Sequence, residues 1–375
     1  MSSDNSPLWD DGSWSGLPRL EQDLRTDVCV VGLGGSGLTA VHALLDRGFT
    51  VVGIDAGRIA SGAAGRNGGF LLAGLAKFYH QTVQELGRER AAEIYRCTLA
   101  EMDRMAEATP TAISRNGSLR IAINVEELAD CQAQFEALRA DGFPVEHYQG
   151  VEGEGLLLLT DGAFNPLLRC RLLTRSALER GAQLYEHSAA THIESRVVQV
   201  GRATIRCKFV IVAVDGRIEL IFPQLQSKVR TARLQMIGTA PTNEVSFTRP
   251  VYARWGYDYW QQLSDGCVVI GGGRDRVEEQ EWTCDVQPTS AVQDYLDDLR
   301  ERIGVRAAIT HRWAASVGYT HDGLPIIEEV IPEVWAIGGY NGTGNVVGAL
   351  CARSVGELLG SGQSAFFALL KNTRR

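Results

Sequence analysis

The sequence has no hydrophobic run near the roughly 18 residues that a membrane-spanning helix needs. Its 8 cysteines form no C-x-x-C pair and no Cys/His cluster, so we expect no metal site and reduced, buried thiols. A net charge of −8 lacks the basic excess that favours nucleic acid or an anionic membrane. Residues 1–5 are too polar to start a signal peptide. These absences predict a cytoplasmic protein that acts on small molecules. We expect it to bind no nucleic acid and to have no membrane-spanning segment.

Residues 27–55 form the most informative stretch of the chain. An apolar, β-branched run leads into G-x-G-x-x-G at Gly32, Gly34 and Gly37, then into helical spacing and a second apolar strand that closes on Asp55. Gly32 would make the tight turn, Gly34 would let backbone approach a pyrophosphate, and Gly37 would let the helix pack on the strand. Asp55 lies where a carboxylate can bind ribose hydroxyls. This order predicts a dinucleotide site for NAD or FAD; a glycine turn that binds nothing is the alternative.

Residues 56–70, directly after Asp55, are rich in glycine and other small residues. A loop of this length inside a compact domain is usually functional. With so few side chains, its backbone can lie against a flat ligand and its N–H groups can reach polar ring edges. Arg66 and Asn67 are the large polar side chains that it offers. We expect this loop to contact the dinucleotide; a flexible surface loop is the alternative.

Further along, parallel-type and antiparallel patterns alternate. The apolar residues 209–214 predict a third buried parallel strand that ends at Asp215 and Gly216, so the nucleotide-binding domain resumes after an insertion. Residues 226–282 predict short antiparallel strands. Residues 1–26 read as an extended arm anchored by tryptophans. Apolar periodicity predicts helices over residues 80–108, 125–140, 167–179, 288–302 and 346–359.

A second glycine-rich corner, residues 338–345, joins an apolar strand to the last of these helices. It is not a second G-x-G-x-x-G. A helix start carries partial positive charge and free N–H groups, which would favour the anionic, reduced state of a nearby isoalloxazine. The alternative is that this corner binds a phosphate, as the first corner is expected to do, or that it is a turn that serves only packing. Residues 271–274 also follow a strand, but they lack a third glycine and precede a charged segment, so they predict no separate NAD site.

With these motifs, the chain resembles the FAD-dependent amino-acid and amine oxidoreductases typified by D-amino-acid oxidase, glycine oxidase and monomeric sarcosine oxidase. The resemblance covers nearly the whole chain. The Arg-Asn-Gly-Gly variant at residues 66–69 and the Pro-Leu-Trp arm at residues 7–9 look most like the gamma-glutamylputrescine oxidase branch. The matching segments are residues 30–38, 61–69, 268–272, 320–327 and 339–344. The resemblance implies FAD as cofactor and oxidation of a C–N bond to an imine by hydride transfer to flavin N5, often with O2 as final acceptor.

The resemblance also implies roles for residues at matching positions. The glycine motif would hold the pyrophosphate, the Asp55 region the adenosine, the following loop the phosphates and flavin, and the second corner the pyrimidine edge of the flavin. In chain order these predicted cofactor contacts are Gly32, Gly34, Gly35, Ser36, Gly37, Asp55, Ala56, Arg58, Ser61, Arg66, Asn67, Gly68, Gly69, Ala190, Gly339, Gly342, Thr343, Gly344 and Asn345.

Candidate substrate contacts are Tyr257, Tyr259 and Trp260, whose strand region faces the flavin in relatives; ordinary sheet packing is their alternative. Arg254 and Arg233 are candidates for an anionic group, with solvated surface arginines as the alternative. His321 lies in a loop near the flavin in relatives and is a candidate proton acceptor, although a turn histidine is usually just exposed. Hydride transfer itself asks mainly for orientation and an uncharged amine.

Two positions depart from the family pattern. α-Amino-acid oxidases of this family hold the substrate carboxylate with an arginine on the strand before the Thr-x-Asp-Gly-x-Pro motif, where this chain has Val317. We therefore do not expect this chain to bind a substrate α-carboxylate in the way that is usual for the family. The strand end Ala213-Val214-Asp215-Gly216 departs from the Ala-Thr-Gly or Ala-Thr-Asn that is usual in the family.

We therefore predict an α/β fold with a discontinuous, Rossmann-like FAD-binding domain and an α+β substrate domain built on an antiparallel sheet that covers the flavin. The expected FAD-binding segments are residues 1–80, 150–225 and 315–375, and the expected substrate segments are 81–149 and 226–314. The predicted function is oxidation of an amine or modified amino acid, with O2 as acceptor. A dehydrogenase that passes electrons to a partner protein or quinone and a non-catalytic flavin-binding module are the alternatives.

Overall fold

The computed structural model describes residues 5–371. The chain forms two compact units, and each draws on three separate segments. The first unit comprises the described part of Met1–Asp11 together with Arg66–Pro166 and Ala232–Ser316. The second comprises Gly12–Gly65, Leu167–Thr231 and the described part of Val317–Arg375. The predicted roles of these segments, one for FAD and one for substrate, stay predictions.

The second unit is built on a six-stranded sheet. The inner strands Val28–Val31, Val51–Ile54 and Phe209–Val212 are short, β-branched and almost fully buried, because helices rather than water cover a parallel sheet. The first five strands are parallel and the sixth is antiparallel. In spatial order they are Gln183–Tyr185, Val51–Ile54, Val28–Val31, Phe209–Val212, Val334–Gly338 and Ile326–Ile331. The helices of this part of the chain are Gly35–Leu45, Pro166–Glu179, Ile218–Ile221, Val347–Ser361 and Ala365–Lys371.

A smaller sheet also belongs to the second unit. It contains an antiparallel meander, and a short early strand pairs with the meander in parallel. Its spatial order is Leu24–Arg25, Ala203–Arg206, Val197–Val200 and His192–Glu194. Buried aliphatic residues from both sheets of this unit form one hydrophobic cluster, which includes Leu20, Val198, Val210 and Val334.

An eight-stranded sheet dominates the first unit. In spatial order its strands are Ile309–Thr320, Val229–Thr239, Val268–Gly272, Asp258–Gln262, Val251–Ala253, Ser118–Ala122, Gly153–Leu158 and Val145–Gly150. Between Val229–Thr239 and Val145–Gly150, neighbouring strands pair in the antiparallel direction, as predicted for residues 226–282. The exception is Val251–Ala253, which runs parallel to Ser118–Ala122. A three-stranded sheet of Phe70–Leu71, Gly162–Phe164 and Ile113–Ser114 accompanies it.

Helices cover the large sheet of the first unit. They are Tyr79–Leu86, Arg88–Ala108, Val125–Ala140, Glu278–Glu281 and Ser290–Arg302. The single helix predicted over residues 80–108 is wrong, since Gly87 adopts a φ of 81° and divides it in two. The parallel sheet with helices and the mainly antiparallel sheet together confirm the predicted fold class. Within residues 5–371, no helix combines the length and the apolar character needed to cross a membrane.

Candidate functional site

The first glycine corner, residues 32–37, turns the chain from strand Val28–Val31 into helix Gly35–Leu45. Gly32 adopts a φ of 95°, and a Cβ there would lie 2.7 Å from the carbonyl oxygen of Ala213. A Cβ on Gly37 would lie 1.8 Å from the carbonyl oxygen of Gly32. Both positions therefore require glycine, because any side chain would collide with backbone.

Helix Gly35–Leu45 begins with its N–H groups available to a ligand. No side chain of the described residues caps it, and its first turn holds no acidic residue. The first N–H groups of a helix have no intrahelical acceptor, and they carry the positive end of the helix dipole. This start therefore fits the pyrophosphate of a dinucleotide. The contacts of Gly34, Gly35 and Ser36 with a pyrophosphate stay predictions.

Asp55 ends the second strand and reaches the first corner. Its Oδ2 accepts the backbone N–H of Leu33 at 2.7 Å, and its Oδ1 accepts that of Gly57 at 2.9 Å. Burial raises the pKa of the Asp55 carboxyl, although both hydrogen bonds oppose that rise. The carboxylate thus fixes the turn on either side of it, and its contact with a ribose stays a prediction.

The other adenosine-side candidates lie near Asp55. Ala56 is exposed, and Ala190 is half-buried against the hydrophobic cluster of the second unit. Ser61, a candidate for the phosphates and flavin, is also exposed. The guanidinium of Arg58 donates to the carbonyl oxygen of Trp14 at 2.5 Å, so it holds the N-terminal arm. The sequence analysis missed Glu186, whose buried carboxylate accepts hydrogen bonds from this region; its only signal was an acidic residue directly after a short strand.

The second glycine corner, residues 338–345, also depends on conformations that glycine allows. Gly339 has a φ of 63°, and a Cβ there would lie 2.7 Å from Thr320. Gly342 has a φ of 85°. The Thr343 hydroxyl donates to the Tyr340 carbonyl oxygen at 2.7 Å, and helix Val347–Ser361 follows. The predicted contacts Gly344 and Asn345 occupy the approach to this helix.

Asp215 ties this corner to the end of strand Phe209–Val212. Its carboxylate accepts the N–H groups of Tyr340 at 3.1 Å and Gly318 at 3.3 Å. The residue itself has a φ of 55°, and burial raises the pKa of its carboxyl to about 6. The sequence marked Asp215 only as a departure from the family; its hydrogen bonds explain why a carboxylate fits there.

Tyr340 brings the two glycine corners together. Its ring is 3% exposed and would lie 2.9 Å from a Cβ on Gly344 and 3.1 Å from one on Gly348. A Cβ on Gly348 would also lie 3.4 Å from Ser36 of the first corner. The two helix starts that the sequence singled out are therefore neighbours within the second unit.

In the first unit, the loop residues 66–69 are held by several hydrogen bonds. The Arg66 guanidinium donates to the Ala314 carbonyl oxygen at 2.8 Å and to the Asn5 side chain, and burial lowers the pKa of Arg66 to about 10. Trp9 donates to the Asn67 carbonyl oxygen at 2.9 Å. The Asn67 side chain accepts the N–H of Gly69 at 2.8 Å. The flexible-loop alternative does not fit this part of the loop, and the contacts of residues 66–69 with a cofactor stay predictions.

The aromatic candidates do not share one face of the large sheet. The Tyr259 ring stacks on Tyr252, with centroids 5.7 Å apart, and Phe70 meets both edge-on. Trp260 points to the opposite face, since side chains alternate along a strand, and it joins a hydrophobic cluster there. Tyr257 lies beside the guanidinium of Arg274, 5.6 Å from the ring centroid. The structure therefore separates Trp260 from Tyr259.

Arg254 and Arg233 are both paired with carboxylates. Arg254 donates to Asp258 at 3.0 Å and to Asp275. Arg233 is 4% exposed and binds both carboxylate oxygens of Glu281, at 3.0 and 2.9 Å. The solvated alternative is wrong for both, because carboxylates of the described residues pair with each guanidinium.

The remaining candidates lie at the end of the last long strand and in the loop after it. His321 is exposed, so its role as a proton acceptor stays a prediction. Val317 is 9% exposed and sits in strand Ile309–Thr320, as expected for the position that replaces the family arginine. Among residues 5–371, no group of three or more His, Cys, Asp or Glu side chains is placed to hold a metal ion.

The model of the FAD dependent oxidoreductase family matches residues 27–358 of the chain. The chain belongs to this family. As a member it is an FAD-dependent oxidoreductase, which confirms the predicted family, cofactor and enzyme class. The match includes both glycine corners, so the residues that require glycine there fit the cofactor of the family.

Individual relatives of this FAD-dependent oxidoreductase agree with the family match. It is 27% identical to the probable oxidoreductase OrdL of Rhizobium meliloti (strain 1021), covering 96% of this chain and 88% of the relative. It is 26% identical to the gamma-glutamylputrescine oxidoreductase of Escherichia coli (strain K12), covering 91% and 85%. Glycine oxidase from Geobacillus kaustophilus has a similar structure, with a TM-score of 0.75 at 20% identity over 92% of this chain and 96% of that one. At that identity the structural likeness shows the fold alone.

Proposed function

We propose that this FAD-dependent oxidoreductase oxidises a C–N bond of an amine or modified amino acid to an imine, and that O2 accepts the electrons. The main support is the pair of adjoining glycine corners linked through Tyr340, which fits FAD with both its pyrophosphate and its flavin end held by helix starts. Bound FAD supplies the two-electron acceptor. The similarity to a gamma-glutamylputrescine oxidoreductase supports an amine as the donor.

Different residues of the second unit would hold different parts of the cofactor. Gly34, Gly35 and Ser36 would donate N–H groups to the pyrophosphate, and Asp55 would accept from the ribose. The start of helix Val347–Ser361 carries partial positive charge, which would stabilise negative charge on the pyrimidine edge of a bound flavin. We propose that the segments of this unit form the FAD-binding domain.

We propose that Tyr257 and Tyr259 contact the substrate. The Tyr259–Tyr252–Phe70 cluster offers ring faces and edges without a charged group, which suits the carbon chain of an uncharged amine. Trp260 is the weaker candidate, because its ring belongs to the core cluster on the other face of the sheet. Arg254 and His321 stay candidates for an anionic group and for the amine proton.

Anaerobic mixing of the FAD-loaded protein with a panel of amines and amino acids tests the proposal. We expect flavin absorbance near its visible maximum to bleach with at least one amine that lacks an α-carboxylate. If no compound bleaches the flavin, the non-catalytic flavin-binding module becomes the better description.

The same mixtures, once opened to air, separate the two acceptors. An oxidase consumes O2 and releases hydrogen peroxide as the flavin colour returns. A flavin that stays bleached in air, and recovers colour only when a quinone or an electron-carrier protein is added, would favour the dehydrogenase alternative.

We also propose a cytoplasmic location. Six of the eight cysteines are buried, and buried, scattered cysteines suit a reducing compartment. Cell fractionation with antibody detection tests this, and recovery in an extracytoplasmic fraction would contradict it.

A further inference from the structure

Glu186 is a buried carboxylate that the cofactor motifs do not include. It follows strand Gln183–Tyr185 and is 1% exposed. Its Oε1 accepts the indole N–H of Trp14 at 2.8 Å and the backbone N–H of Ile59 at 2.6 Å. Its Oε2 accepts the backbone N–H of Leu17 at 2.8 Å. Neutral donors from two separate chain segments thus meet on one carboxylate.

Backbone bonds extend this contact along the loop that begins at Asp55. Strand Gln183–Tyr185 runs parallel to Val51–Ile54, so the residues after each strand end up side by side. The N–H of His187 donates to the Gly57 carbonyl oxygen at 2.9 Å, and that of Ser188 donates to the Asp55 carbonyl oxygen at 2.7 Å. Together with Glu186, these bonds fix the loop at Asp55, Gly57 and Ile59.

The same stretch of chain holds the N-terminal arm, residues 12–20. Glu186 donates its N–H to the Pro18 carbonyl oxygen at 3.1 Å, and the Ser188 hydroxyl oxygen accepts the Leu20 N–H at 2.9 Å. Gly16 has a φ of 85°, and a Cβ there would lie 3.0 Å from Oε2 of Glu186. The arm therefore approaches the carboxylate closely because it has glycine at this point.

We infer that Glu186 is a positioning residue for the adenosine half of FAD. Its carboxylate acts through the Asp55 loop and the arm, and it needs no contact with the cofactor. Three N–H groups donate to the two carboxylate oxygens of Glu186. Replacing the carboxylate with an amide turns one of these acceptor oxygens into an NH2 donor that faces an N–H group. A buried donor left without an acceptor is costly, and the loop and arm would separate to let water reach it.

Binding of three ligands to the full-length apoprotein tests this inference, which rests on the proposed FAD site. FAD and ADP both carry the adenosine half, whereas FMN carries the flavin with a single phosphate. For Glu186→Gln we expect the dissociation constants of FAD and ADP to rise by about tenfold or more, because one hydrogen bond to a charged group is lost. The dissociation constant of FMN should stay within about twofold of the wild-type value. Glu179→Gln is the matched control, because Glu179 is exposed in the same unit.

Two outcomes would overturn the inference: unchanged FAD affinity, or equal weakening of FAD and FMN, which a general loss of structure would produce. Trp14→Phe provides a second variant if Glu186→Gln does not fold. It removes one donor to the carboxylate and keeps the aromatic packing, and it should weaken FAD and ADP but not FMN. An FMN loss as large as the FAD loss in this variant would also count against the inference.

Discussion

At Asp55, one carboxylate serves both the protein backbone and the proposed ribose contact. Asp55→Ala removes the acceptor of the Leu33 and Gly57 N–H groups as well as any bond to the ribose. We expect the dissociation constant of FAD to rise at least about tenfold, because a hydrogen bond to a charged group contributes about 1.5–3 kcal/mol. Fluorescence titration of the apoprotein with FAD measures this. Undiminished FAD retention would refute the ribose role.

Val317 is the position at which we expect this chain to differ from α-amino-acid oxidases in the substrates it accepts. It is 9% exposed and has no group that could hold a carboxylate. Val317→Arg should introduce activity on plain α-amino acids, since an arginine can bind a carboxylate through two parallel hydrogen bonds. We expect their kcat/KM to rise by about tenfold or more relative to the matching amines without a carboxylate.

Steady-state kinetics on amine and amino-acid pairs checks the effect of Val317→Arg. Val317→Leu is the control, because it changes volume without adding charge. If the arginine and leucine variants treat the pairs alike, our interpretation of this position is wrong.

Among the structural elements, helix Gly35–Leu45 and strand Val28–Val31 depend on close approach at the first corner. Gly37→Ala places a Cβ 1.8 Å from the Gly32 carbonyl oxygen, so the helix must move off the strand. We expect the free energy of unfolding of the apoprotein to fall by about 3 kcal/mol or more, the upper range for overpacking. Urea denaturation followed by circular dichroism measures this.

Gly62→Ala is the matched control for that helix–strand contact. A Cβ on Gly62 would have no other atom within 4 Å, and this glycine lies in the loop after Asp55. Its alanine variant should unfold at nearly the wild-type urea concentration. Equal losses in both variants would mean that close packing is not the reason for glycine at position 37.

For the molecule as a whole, buried carboxyls set part of the response to pH. Burial raises the pKa of Asp161 and of Asp215 from 3.8 to about 6. A carboxyl with a raised pKa holds its proton more tightly in the folded state. Its contribution to the free energy of unfolding is therefore complete below about pH 4, falls as the pH rises to about 6, and changes little above that.

Asp161→Asn isolates one of these two carboxyls. The amide can still accept the Ala73 N–H and bond to the Ser118 hydroxyl, the two partners of Asp161 at 3.0 and 2.6 Å. Between about pH 4 and pH 7 the wild type should lose roughly 3 kcal/mol relative to this variant, which is a two-unit pKa shift expressed as free energy. Denaturation at several pH values measures it, with exposed Asp294→Asn as control. A difference between wild type and Asp161→Asn that does not vary with pH would contradict the assignment.

Sequence patterns identified the family and predicted which elements bind the cofactor. The first glycine corner is read directly from its spacing, and the contact of Gly37 with the Gly32 carbonyl oxygen is local in the chain. The helices over residues 125–140 and 167–179 follow from apolar periodicity, and the structure has them at Val125–Ala140 and Pro166–Glu179. The break at Gly87 was missed, since periodicity continues on both sides of it.

The sequence by itself determined the strand–glycine–helix unit, because that unit depends on neighbours along the chain. The FAD cofactor and the oxidoreductase family also followed from the sequence, through a resemblance that covers nearly the whole chain. Only the tertiary structure decided that Tyr340 joins the two corners, that Glu186 holds the arm and the Asp55 loop, and that Trp260 faces away from Tyr259. Trp14 and Glu186 are separated by 172 positions, and the bond between them exists only once the strands have taken their places in the sheet. Contacts of that kind leave no spacing for a sequence pattern to detect.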